Sequence, residues 1–522
     1  MSEGGVLATS SVRGPGRLRV FLEPAVEPAD ASVAASVELG SFEPAPRAQD
    51  LIIPGDSEPT RLRLQADGGP VTLRDLALAR FAEPPVPPDP SLISDQAPLP
   101  NIIFYVVDSL RADHLGVYGY PEDTSPELDR FAERAAVFRQ ASAQSSWTRT
   151  GVASILTGLD PWQHRVQGRL DALPENVHYL PQALRELGYR TAGFVTNGNL
   201  TAGFGFARGF DTYEHLPETD SDWVHVPSEE LHARALSWLD SIAEEDRANP
   251  ANGARPFFLY LHSTDPHYPY RLPLKGAAGT LSDEDPASEQ HWGSLERIVA
   301  LQLGRAEAEP GELEATVELY DREIAYNDQQ FGLLLDSLNL RGLLDPSLLV
   351  YTADHGEEFL DHGGWGHGQT LEIEQLHVPL LIKFPGQLRS FEIDNVVSQS
   401  DLAPTILAAL ASLQPGRAQS LLHLMRENPT NWRRASLASL ELDGFSLDSA
   451  RWGSFLLIRE LPEGRRFIDL NVDRHGDRSE HFPAWAQYLS ALLDGASAGG
   501  DASVTVEPDE EVEKTLRALG YI

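Results

Sequence analysis

The chain contains no cysteine. Disulfides, thiolate metal sites and cysteine nucleophiles are excluded, and redox chemistry says nothing about compartment. Positive charge is scarce: Lys+Arg number 41 against 78 Asp+Glu, a formal net charge of −37. A surface of that sign repels nucleic acid and anionic membranes, which removes both as expected partners. Long hydrophobic runs are missing as well. No stretch approaches the ~18 apolar residues of a membrane-spanning helix. The start, Met1-Ser-Glu-Gly-Gly, lacks the basic-then-apolar pattern of an export signal. As written, the chain is expected to be soluble and cytoplasmic, and extracytoplasmic if its start is truncated.

What is present is a globular composition, 41% hydrophobic over 522 residues, enough for two to four domains. Residues 1–83 alternate apolar and polar side chains in short runs around Leu18–Leu22, Val33–Leu39, Leu62–Leu64 and Val71–Leu78, punctuated by Gly, Pro and Asp. That pattern predicts a small N-terminal all-β, sandwich-like module. Seven of the seventeen residues from 84 to 100 are proline, a density that no helix or central strand tolerates, so this is read as a linker.

From 101 to 413, apolar runs alternate with helical periodicity. Strands are expected at 101–108, 190–196, 256–262 and 348–354, and helices at 126–136 (capped by Ser125), 180–187, 228–243 and 312–338. This alternation predicts an α/β fold, a doubly wound mixed sheet with helices on both faces. The Gly- and acid-rich stretch 275–311 reads as an insertion or mobile loop. Residues 414–522 read as a C-terminal α+β subdomain with short strands near 455–458 and 466–469 and a last helix at 510–519.

Chemistry-bearing residues collect directly after the apolar runs. Asp108 ends the first, Thr148 opens a helix, His262-Ser-Thr-Asp265-Pro-His267 follows a third, and Asp354-His355-Gly356-Glu357 a fourth, trailed by His362-Gly-Gly-Trp-Gly-His367. Ligands in open α/β sheets bind beyond the carboxyl ends of the strands. Two carboxylates, an imidazole and a hydroxyl brought together there make a set of hard ligands for a divalent cation. A hydroxyl beside such a cation is an activated nucleophile, and neighbouring histidines suit anion binding or proton donation. Each piece also has a plain reading: Asp after a strand caps helices, and Asp265-Pro-His267 is a turn sequence.

Taken in order, Val106-Val-Asp-Ser-Leu-Arg-Ala-Asp-His-Leu-Gly116, Ala153-Ser-Ile-Leu-Thr-Gly158, Asp265-Pro-His-Tyr-Pro-Tyr270, Ala353-Asp-His-Gly-Glu357, Gly366-His-Gly368, His377-Val-Pro-Leu380 and Leu516-Arg-Ala-Leu-Gly-Tyr-Ile522 resemble the sulfatase family of the alkaline phosphatase superfamily. The resemblance implies one divalent metal ion (Mn, Zn, Ca or Mg) on Asp108, Thr148, Asp354 and His355, and catalytic roles for Thr148, His267 and His367. It also implies that Arg149, His267 and His367 bind a small anionic ester or glycan substrate. Where the main sulfatase type has Cys/Ser-x-Pro-x-Arg, this chain has Thr148-Arg149-Thr150-Gly151-Val152, and Ser109 replaces the second Asp of the usual pair. No formylglycine is therefore expected.

A plain threonine sulfate cannot collapse to release sulfate as a formylglycine hydrate does, whereas phosphoryl transfer through a threonine ester is ordinary chemistry. The expectation is a metal-dependent hydrolase of sulfate, phosphate or phosphonate esters with phosphoryl chemistry favoured. The competing expectation is a non-catalytic sulfatase-like protein that binds an anionic glycan or a partner. Ser/His/Asp acyl hydrolysis is set aside for want of a nucleophile elbow.

Overall fold

The computed structural model describes the strands between residues 5 and 80, residues 99–216, 226–250, 253–270, 292–410, 421–422, 424, 435–442, 444–461 and 464–497. These group into two compact units. One contains the strands before residue 81 with 435–437 and 448–497; the other contains 99–410 with 438–442 and 444–447.

In the first unit, the strands Arg17–Pro24, Val37–Phe42 and Thr60–Asp67 form one antiparallel sheet. Gly5–Thr9 pairs with Gln49–Ile53 and Ala77–Arg80 in another, and Ser11–Arg13 pairs with Thr72–Arg74. Phe455–Leu461 and Gly464–Asp469 pair as a hairpin, against which the helix Pro483–Ser497 packs Trp485 within 5.4 Å of Phe455. A Gly495-Ala-Ser497-Ala-Gly499 sequence begins there, but Ser497 ends a helix and donates to Asp494 O at 3.2 Å, so it is no strand-to-helix elbow. The helix expected at 510–519 lies outside the described residues, as does the linker up to residue 98.

The second unit is built on a nine-stranded mixed sheet. Its strands are β1 (Ile102–Val107), β2 (Ala136–Ser142), β3 (Arg190–Val195), β4 (Thr212–His215), β5 (Phe257–Ser263), β6 (Leu348–Ala353), β7 (His377–Val378), β8 (Leu380–Lys383) and β9 (Phe391–Ser398). Their order is β4-β3-β5-β1-β6-β8-β2-β7, with β9 also paired to β2. Neighbours from β4 to β6 are parallel, and β8 is antiparallel to both β6 and β2. Strands β1, β5 and β6 are buried at every position, which is why they read as unbroken apolar runs rather than alternating ones.

Helices α1 (Pro126–Ala132) and α4 (Ser228–Ala248) both contact α5 (Glu312–Leu340) in one layer, while α2 (Thr148–Thr157) contacts α3 (Leu180–Glu186) and α6 (Leu402–Leu410) in a second. This is the doubly wound arrangement the sequence pattern implies.

Two expectations change. Ser125 makes no side-chain cap to α1; Asp328 of α5 takes that role, its two oxygens accepting the N–H groups of Glu127 and Leu128, each at 2.8 Å. Stretch 275–311 is not wholly loop: Leu295–Gln302 is a helix capped by Ser294 and tied to α5 by an Arg297–Glu312 ion pair. Amphipathic spacing of Ile298 and Leu301, both buried, explains it.

Candidate active site

Strand register assembles the site. Val106 of β1 stands opposite His262 of β5 and Thr352 of β6, so the residues that follow share one edge of the sheet. Asp108 N donates to Ser263 O at 2.9 Å, which continues the ladder one step past β1. Asp108, His262, Asp354 and His355 are fully buried there, and ligand atoms of Asp108, His262 and Asp354 all lie within 4.8 Å of one another.

His262 Nε2 stands 3.5 Å from Asp354 Oδ2, and His355 Nε2 stands 3.7 Å from both Asp108 Oδ1 and Asp354 Oδ2. The His355 Nδ1–H donates to Gly356 O at 2.9 Å, which leaves the Nε2 lone pair turned toward the carboxylates. Asp354 Oδ2 accepts no hydrogen bond, although Oδ1 accepts from Ser109 N (3.2 Å) and His355 N (2.9 Å). Burial pushes the Asp354 carboxyl up, but the adjacent His355 and His262 imidazoles and the Ser109 N–H outweigh it, so it is held below its ordinary value. Two buried carboxylates facing imidazole nitrogens are costly without a compensating cation. The donor set of oxygens and imidazoles therefore fits a divalent metal ion.

Thr148 is the first residue of α2. Its Oγ1 lies 3.3 Å from His355 Nε2 and accepts from Asn197 Nδ2 at 3.5 Å. The same amide donates to Asp108 Oδ2 at 2.5 Å, so Asn197 bridges the carboxylate and the hydroxyl. Close approach of α2 depends on Gly151: a β-carbon there would stand 2.7 Å from Asp354 O. Ser109, in the left-handed region at φ 57°, aims its N–H at Asp354 and its hydroxyl at Asp108 Oδ1, 3.1 Å away. It supplies hydrogen bonds where a second acid would have added charge.

The two remaining histidines stand beside this cluster. The ring centroids of His267 and His367 are 4.8 Å apart, and those of His355 and His367 are 4.4 Å apart. His267 Nδ1–H donates to Tyr268 O, which fixes its ring. His367 Nδ1 meets Glu357 Oε1 at 2.9 Å, and Tyr270 donates to the other Glu357 oxygen at 3.0 Å. Burial raises the Glu357 carboxyl well above its ordinary range and keeps both histidines below theirs; the neighbouring His355 ring adds to that effect on each histidine. Gln302 of the helix 295–302 donates to His367 O at 2.8 Å, so the stretch read as an insertion helps hold this loop.

Arg149 does not join the cluster in the manner its neighbour suggests. Its buried guanidinium donates to Asn199 Oδ1 (2.8 Å), Asn199 O (3.2 Å) and Arg169 O, and lies 3.4 Å over the Phe204 ring. His362 stands apart from the cluster, with Nε2 3.0 Å from Glu374 and 3.6 Å from Glu372. Asn197 carried no sequence signal, because the strand pairing that brings it to Asp108 is not a local pattern. Glu357 and His262 were visible only as companions of the expected ligands.

Acids, imidazoles and a hydroxyl gathered at the carboxyl edge of a doubly wound mixed sheet define a metal-assisted ester-cleaving class of enzyme. The match to the sulfatase family model over residues 100–412 covers more than half the chain, and the chain belongs to that family. It is 26% identical to human (Homo sapiens) iduronate 2-sulfatase over 426 residues, covering 72% of this chain and 75% of the relative. A multifunctional alkaline phosphatase superfamily protein of Trinickia caryophylli is 27% identical over 410 residues, 64% and 78% of the two chains.

Among solved structures, phosphonate monoester hydrolase of Agrobacterium radiobacter shares the fold with a TM-score of 0.59 at 19% identity, covering 78% of this chain and 100% of that one. By family the protein is accordingly a sulfatase-like ester hydrolase. No helix among the described residues is long and apolar enough to cross a membrane.

Proposed function

We propose that the chain hydrolyses phosphate or phosphonate esters, with Thr148 as nucleophile and a divalent ion held by Asp108, Asp354 and His355 together with the Thr148 hydroxyl. One observation carries the reading: a fully buried hydroxyl lies within reach of the acid–imidazole cluster, at the start of α2, where helix N–H groups favour negative charge. When bound, the cation supplies the charge that makes ionising this hydroxyl and gathering an oxyanion affordable.

Thr148 Oγ1 then attacks phosphorus as the bond to the departing alcohol breaks. His267 or His367, kept neutral by burial, would take the Thr148 proton and hand it to that alcohol; water then attacks the same phosphorus, its proton passing back to Thr148 Oγ1 as the phosphate or phosphonate is released. Asn197 holds Asp108 and the hydroxyl in line. A threonine ester of sulfate offers no aldehyde collapse, so the absence of a convertible residue at 148 favours phosphoryl over sulfate substrates.

The test is turnover of aryl phosphate, phosphonate and sulfate esters with each of Mn, Zn, Mg and Ca. Thr148→Ala is expected to lose activity by on the order of 10³-fold or more while retaining metal. Full activity in Thr148→Ala, or sulfate esters as the best substrates, would refute the reading.

A further inference from the structure

The motif reading expects a cation at position 149, and the structure offers one at 169. Arg149 is fully buried, and its guanidinium grips the backbone carbonyl of Arg169, twenty residues on. The turn carrying Arg169 is otherwise built by Asp171, whose Oδ2 accepts from Gln167 N (3.0 Å) and Gly168 N (2.7 Å). The Gln167 amide is tied to Ser439 Oγ at 2.7 Å. This loop is therefore fixed by part-buried polar contacts at three points.

The side chain it presents is half-buried and leads toward the site. The Arg169 guanidinium lies 4.9 Å over the ring of Trp147, the residue before Thr148. That ring in turn is 6.4 Å from His367, and the Tyr268 ring is 5.2 Å from it. The positive charge of Arg169 is felt at both His367 and Tyr268. Trp147 is itself nearly fully buried, backed closely by Gly368. Arg169 thus stacks on a buried indole with its charge felt at His367, while the cluster that would take the transferred group is itself fully buried.

On a chain carrying a net charge of −37, a cation fixed in this way has a specific use. A planar guanidinium held against an aromatic face pairs with carboxylate and oxyanion groups in defined geometry. Its place is beside the histidines that face the departing alcohol, rather than among the ligands that face the transferred group.

Building on the hydrolase reading above, we infer that Arg169, positioned by Arg149 and stacked on Trp147, recognises a second anionic group carried by the alcohol portion of the substrate, a carboxylate or another oxyanion. The preferred substrate is then an ester whose leaving alcohol is itself negatively charged.

The experiment compares two aryl phosphates, one with a neutral leaving group and one bearing a carboxylate, on the metal-loaded enzyme and on Arg169→Gln. Loss of a charge-assisted pair is expected to raise KM for the carboxylated ester by about 10- to 100-fold. KM for the neutral ester and inhibition by orthophosphate should move less than about threefold, within the scatter of a mutation that touches neither. Equal losses on both esters would place Arg169 on the transferred group, and unchanged constants would give it no contact at all; either result overturns the inference.

Failure of the hydrolase reading shows separately. If no ester turns over, binding of the carboxylated aryl phosphate is measured calorimetrically on the same two proteins. Weaker binding in Arg169→Gln upholds the inference without the activity, and equal binding overturns it. Arg169→Lys keeps charge without the planar fork and is expected to restore only part of the lost affinity.

Discussion

At the scale of single residues, the site works by sharing buried donors between its groups. Asn197 is the clearest instance, since one amide nitrogen serves both Asp108 and Thr148. Removing it frees the Asp108 carboxylate to turn and leaves the hydroxyl without its donor. Asn197→Ala is expected to weaken metal affinity by about 10- to 100-fold, as loss of an outer-shell partner commonly does. Titration of the metal-free protein with Mn or Zn, followed calorimetrically, checks this. An unchanged dissociation constant would mean that the Asp108 position is fixed by the sheet alone.

At the scale of elements, the sheet edge was legible in the sequence and the side-chain directions were not. Asp108 and Asp354 could be found because both follow six-residue strands buried on both faces, whose unbroken apolar runs end in an acid. Arg149 could not be placed in the same way. Adjacent residues on a helix point ~100° apart, so a cation next to Thr148 at the start of α2 faces Asn199 and Phe204 instead. Asn197 was invisible because its role depends on the parallel pairing of β3 with β5, which no local pattern encodes. The capping of α1 by Asp328 rather than Ser125 is likewise a long-range contact, 200 residues away in the chain.

Two predictions belong to this scale. The close contact of α2 with the Asp354 backbone leaves no space for a side chain at position 151. Gly151→Ala is expected to push Asp354 out of register with Asp108, lowering metal affinity about tenfold while far-UV circular dichroism stays unchanged. Retained affinity would show that the helix can retreat without moving the carboxylate.

Asp328 sets a pH dependence of a different kind. Burial raises its carboxyl to about 7, against the favourable N–H groups of Glu127 and Leu128. A group held above its unfolded value favours the folded protein fully below the unfolded pKa, about 3.9, and loses that contribution as pH rises through 7. Asp328→Asn removes the titration and faces one N–H with an amide nitrogen. The melting temperature of the parent is expected to exceed that of the variant by more at pH 5 than at pH 8. A gap independent of pH would show that Asp328 does not titrate in this range.

For the whole molecule, charge and chemistry pull in opposite directions. The site is read as gathering anions, yet the chain as a whole carries a formal charge of −37. At low ionic strength the Debye length is about 30 Å, and an anionic ester approaching the site is repelled by the summed charge of the surface. At ~0.15 M salt that length falls to about 8 Å, which removes the distant repulsion but only partly screens a contact pair such as one made by Arg169. Further salt weakens the contact itself. The kcat/KM for a dianionic ester is therefore expected to rise severalfold from ~0.01 to ~0.15 M KCl and to fall again toward 1 M. Sorbitol at matched osmolality should reproduce neither limb. A monotonic fall from the lowest salt onward would mean that local cations, not the acidic surface, govern encounter with the substrate.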